Sequence, residues 1–169
     1  MSRTSPRTSP VDERQSLEEW LDYHRATLLM KCERLAPADL DRASCPPSGL
    51  TLLWLVRHMI GVEDWFHSFD GDEPEPDPNP TDVDTPPAEA EVERAFAAYR
   101  SAVERSRRAV RGLSPDDSMD LGHWVADDRP KESRPTSLRW IYQHMVEEYA
   151  RHNGHADLIR EAIDGEVGD

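Results

Sequence analysis

Between residues 142 and 157 the chain reads Tyr-Gln-His-Met-Val-Glu-Glu-Tyr-Ala-Arg-His-Asn-Gly-His-Ala-Asp. At 3.6 residues per turn, His144, Glu148, His152 and His155 advance by near-whole turns and share one helical face. Solvated helix faces ordinarily carry Glu with Lys or Arg. This one carries imidazoles and a carboxylate, with Met145, Tyr149 and Leu158 beside them, and is expected to point inward. A charge there is costly unless it is paired or bound to a metal. Glu148 and His152, one turn apart, suit a shared divalent ion at about 2.0–2.2 Å. The third donor must come from another element. His58, in Val56-Arg57-His58-Met59 on an apolar stripe with Trp54, Leu55, Val62 and Trp65, is the candidate. Two imidazoles and one carboxylate leave coordination positions open, the pattern of a catalytic or substrate-binding centre rather than a structural one.

The same residues admit plainer readings. A Glu-x-x-x-His pair is commonly a helix-surface pair, an interior His is commonly a hydrogen-bonded core residue, and the whole set can form a buried polar network without metal. His144, His155 and Trp124 are candidates to line the pocket or to orient a ligand. His24 reads as a packing residue, His67 as a surface residue and His123 as a loop residue within reach of the site. The tryptophans (20, 54, 65, 124 and 140) are expected mostly in the core. No catalytic base or nucleophile stands out. The donor set is compatible with zinc, nickel, iron and manganese; zinc or nickel is the expectation.

Four helical stretches must position these groups. The first is expected near Ser16–Leu35, opening at the capping box Ser16-Leu17-Glu18-Glu19 and ending at Ala36-Pro37. The second spans about Thr51–Phe69, after a loop at Ala43–Gly49. A Pro- and Asp-rich run from Asp70 to Pro87 cannot continue a helix and reads as a long crossover. The third covers roughly Ala88–Gly112, with Val92, Phe96, Tyr99, Val103 and Val110 in register. Residues 119–125 suit a strand or ordered loop. The last runs over about Ser137–Asp164, closed by Gly165. Residues 1–12 hold little to bury and read as a flexible tail, leaving 13–169 as one domain. The class is all-α: a four-helix bundle with a long connection between helices two and three.

Composition narrows the function. With 20 Lys and Arg against 34 Asp and Glu, the 169-residue chain carries a formal charge of −14, which opposes nucleic acid and anionic membranes alike. The apolar run Leu52–Val56 is far shorter than the roughly 20 residues a bilayer span requires. No export signal is visible, so a cytoplasmic protein is expected, with Cys32 and Cys45 as free thiols.

Two blocks, Pro47–Met59 and Leu138–Asp157, resemble the DinB-like superfamily of metal-dependent four-helix-bundle proteins, and most closely its branch around the mini-circle protein. The resemblance covers nearly all of the chain after the tail. It implies a metal site with one His from helix two and two ligands a turn apart on helix four, by position His58, Glu148 and His152. It also implies a crossover between helices two and three, and often a homodimer. Many members carry His where this chain has Glu148. A carboxylate there resembles the N-terminal domain of mycothiol-dependent maleylpyruvate isomerase, whose additional C-terminal domain is not expected in a chain ending at Asp169; His155 stands where members often carry Gln. Characterised relatives use low-molecular-weight thiols such as mycothiol or bacillithiol. The resemblance thus implies a divalent-metal-dependent thiol S-transferase acting on a small electrophile. The alternative is a non-enzymatic stress-response protein that binds a metal or a small ligand.

Overall fold

The computed structural model describes residues 3–9, 11–69, 87–120 and 135–167, with backbone alone at 67, 68 and 120. These residues are mostly helical: α1 (Glu13–Cys32), α2 (Pro37–Leu40), α3 (Leu52–Glu63) followed by a 3-10 turn (Asp64–Phe69), α4 (Glu89–Ala109), and α5 (Leu138–Asp164). Two three-residue strands, β1 (Ser118–Asp120) and β2 (Pro135–Ser137), pair antiparallel with Met119 opposite Thr136. The expected crossover lies outside the described residues except for Pro87. So does the part of the expected 119–125 strand beyond Asp120.

Helix ends follow local chemistry, with two departures from expectation. α1 opens a turn early because Asp12, rather than Ser16, is the cap; its side chain accepts from the Gln15 amide at 2.9 Å. Asp12 and Gln15 offer the same three-residue spacing as Ser16 and Glu19, and Asp caps as well as Ser. α1 also stops at Cys32, short of Leu35. Arg160 of α5 donates to the carbonyls of Lys31 and Glu33, both at 2.9 Å, and Arg34 turns left-handed at φ 64°.

The second departure divides the expected second helix. The Thr51 side chain caps α3 through the Trp54 amide at 3.0 Å. At Glu63, however, the Ser106 hydroxyl of α4 donates to the backbone carbonyl at 3.0 Å, and the chain tightens into a 3-10 turn. α5 begins and ends where its sequence indicates, with the Ser137 hydroxyl accepting from the Trp140 amide and Gly165 at φ 78°. That left-handed φ suits a residue without Cβ.

α1 lies along α5, and α3 packs on α4, α5 and α1. Between them sit fully buried Leu21, Leu28, Leu52, Leu55, Met59, Ile141 and Met145. Within this apolar core is a charged knot. Arg25 donates to both Glu63 carboxylate oxygens, at 2.8 and 2.6 Å. Tyr149 donates to the same carboxylate and lies 3.0 Å from the Tyr99 hydroxyl. Burial, reinforced by Glu63, pushes both phenols up, so they stay protonated donors. Burial alone would pull Arg25 down, but the carboxylate outweighs it and raises it. Among the described residues, no helix is long and apolar enough to cross a membrane.

Removing one half of a buried ion pair strands the other. Glu63→Ala is therefore expected to cost about 3–5 kcal/mol, read from urea unfolding; an unshifted midpoint would contradict a structural role for the pair. The thiols give a second test. Burial pushes Cys32 up to about 12, while Cys45 is only partly covered. A neutral-thiol reagent at pH 8 should label Cys45 in the native protein and Cys32 only after unfolding. Because the folded pKa is raised, the stability Cys32 contributes is full below the ordinary thiol value of 9.0 and is lost as pH climbs toward 12.

Candidate functional site

One face of α5 meets α3, and the two elements bring three donor groups together. Ligand atoms of His58, Glu148 and His152 lie within 4.8 Å of one another. Nε2 of His152 is 3.4 Å from Oε2 of Glu148, and the His58 and His152 rings meet edge to face at 4.8 Å. The stripe on α5 is graded rather than uniformly interior. His152 is buried, Glu148, His144 and His155 are half-buried, and Leu158 is exposed.

The site's electrostatics favour donor chemistry. Burial, with His58 and His155 adding to it, pulls His152 down to about 4 against the opposing pull of Glu148. The imidazole is therefore neutral near pH 7, with a lone pair to offer. Two imidazole nitrogens and one carboxylate oxygen converging from two helices fit a divalent transition-metal ion by donor type.

A second grouping, His144, Glu147 and Glu148, is equally close. There, all three donors come from one helix and a cation is already present. Arg151 donates to Glu147 and, at 2.7 Å, to Oε1 of Glu148.

The residues expected around the site fall as follows. Nδ1 of His155 lies 3.4 Å from Nδ1 of His152, behind the ring whose other nitrogen faces Glu148. His144 approaches Oε1 of Glu148 at 4.0 Å and stacks on Trp140 at 4.9 Å. Trp124 and His123 lie outside the described residues. His24 packs beside Asn153, which donates to its backbone carbonyl at 3.0 Å.

The tryptophans meet the expectation in part: Trp54 and Trp65 are half-buried against the edge of the core, whereas Trp20 and Trp140 are exposed. Tyr99, Tyr149, Phe66 and aliphatic side chains fill the core, and three indoles flank the histidines. Trp54 lies flat on His58 at 4.8 Å, while Trp65 and Trp140 meet His144 at 4.7 and 4.9 Å. The signal was present in the sequence. Trp20 and His24, Trp54 and His58, and Trp140 and His144 are each four apart, the spacing at which helix side chains touch. Arg151 was also overlooked, although it stands three residues after Glu148.

A model of the Mycothiol-S-transferase family matches residues 16–165, a span that includes every residue of this cluster. The chain belongs to the mycothiol S-transferase family. That family lies within the DinB-like superfamily, in agreement with the blocks around His58 and His152. A comparison with curated proteins finds no match. As a family member the chain is of a transferase type related to a thiol, and the cluster on α3 and α5 gathers side chains that could hold a metal ion.

Proposed function

We propose that the chain is a divalent-metal-dependent S-transferase joining a low-molecular-weight thiol, mycothiol by the family's description, to a small electrophile. His58, Glu148 and His152 would hold the ion. One observation carries this reading: donor atoms from two helices converge within 4.8 Å in a chain of a thiol-transferase family. The packing of α1, α3, α4 and α5 around one core supports the superfamily's four-helix bundle as their arrangement.

A divalent ion in this site supplies Lewis acidity that favours the thiolate over the thiol. The protein's own groups set how strongly it does so. His58 and His152 would offer neutral nitrogens and Glu148 one negative charge, so a divalent ion held here would keep net positive charge toward an anionic sulfur. Arg151 holds Oε1 of Glu148 and leaves Oε2 directed at His152. His155 faces the far nitrogen of His152, where a partner fixes the ring's tautomer. The indole of Trp54 lies flat against His58 and covers one face of its ring.

The test is metal analysis of the purified protein together with conjugation of mycothiol to monochlorobimane. Stoichiometric divalent metal and turnover are expected, with both lost in His58→Ala and Glu148→Ala. Absence of stoichiometric metal would reject the site, whereas metal without turnover across several thiols would favour sequestration. Arg151→Gln is expected to weaken metal affinity by about 10–100-fold while leaving the fold intact, measured by competition with a chromogenic chelator. Unchanged affinity would remove Arg151 from the site.

A further inference from the structure

α1, α4, the 3-10 turn and Tyr142 of α5 enclose a cavity of about 280 Å³ that includes no residue of the His58–Glu148–His152 cluster. Its size is near the lower end of small-molecule sites. Phe66 and Val110, both buried, give it an apolar wall. Four guanidinium groups line it, in a chain whose overall charge is −14.

Pairing these charges one by one shows what remains. Arg25 is held by Glu63 at 2.6 Å. Arg14 meets Glu18 at 2.9 Å and also donates to the Val110 and Leu113 carbonyls. Arg107 meets Asp22 at 2.8 Å and Glu104. Arg111 is the exception: among the described residues its side chain has neither an ion pair nor a hydrogen bond, and it is exposed at the rim. The cavity therefore offers one uncompensated positive charge beside an apolar surface, with the carboxylates of Glu18 and Asp22 on its lining.

We propose that this cavity binds a small organic monocarboxylate, its carboxylate on Arg111 and its apolar body against Phe66 and Val110. A guanidinium recognises a carboxylate through two parallel N–H···O bonds. A second negative charge on the ligand would meet Glu18 or Asp22, so the site selects against dicarboxylates and phosphate dianions. The protein's long-range field repels anions, and the attraction must be short-range, inside the roughly 8–10 Å over which charge is felt at ordinary salt.

Benzoate, benzamide and phthalate are matched probes: one charge, none and two on the same ring. Titration of the full-length protein, followed by amide NMR shifts, should show saturable benzoate binding at Phe66, Val110 and Arg111. Benzamide and phthalate should bind at least about tenfold more weakly, the scale of one charge-assisted contact. Arg111→Gln should lower benzoate affinity by a similar factor, and Arg108→Gln, which alters an exposed Arg that does not line the cavity, should leave it unchanged. The proposal is overturned if benzoate gives no saturable shift at these residues, if benzamide or phthalate binds as well, or if Arg111→Gln binds benzoate like the parent protein.

Discussion

Few small domains place a full salt bridge where hydrophobic packing alone would serve, and in this fold the Arg25–Glu63 pair organises what surrounds it. Arg25 comes from α1 and Glu63 from the last residue of α3; Tyr149 of α5 donates to the carboxylate, and Ser106 of α4 to the Glu63 carbonyl. Four helices thus meet at one residue. A buried pair adds little net stability over an apolar substitute of the same shape, but it is intolerant of partial satisfaction. A slip of α5 by one residue would take the Tyr149 hydroxyl off Glu63 and leave unsatisfied groups in the core.

That intolerance bears on the donor cluster. Tyr149 follows Glu148 directly and precedes His152 by three residues, so fixing its rotation about the α5 axis fixes theirs. α3 is fixed at both ends: the Thr51 cap sets its start and the Glu63 knot its finish, with His58 between them. The convergence of His58, Glu148 and His152 within 4.8 Å therefore depends on a polar contact in the core as well as on the helices that carry the three residues.

How much of this could be read from the sequence depends on the range of the forces involved. Both ends of α5 were legible because Ser137 and Gly165 act on their own neighbours. The start of α1 was ambiguous because two equivalent capping pairs lie four residues apart. The break after Glu63 was not legible, since the hydroxyl that meets its carbonyl, Ser106 on α4, is 43 residues away. Nothing in the sequence around Arg25 and Glu63 marks them as partners, since they stand 38 residues apart. The His and Glu stripe was visible because one helix supplies most of it, and His58 because it interrupts an apolar run. The indoles beside those histidines were expected mostly in the core; Trp54 and Trp65 do pack against it, and the four-residue Trp–His spacing was the signal for their ring contacts.

At the C-terminal ends of α1 and α5, Arg160 couples two chain segments that are far apart in sequence. It takes the carbonyls of Lys31 and Glu33 and also holds Asp164 and Glu166. The last turn of α1 cannot fray without releasing the closing turn of α5, and the reverse holds equally. Amide protons in those two turns should then exchange with solvent at a common rate, as one cooperative unit.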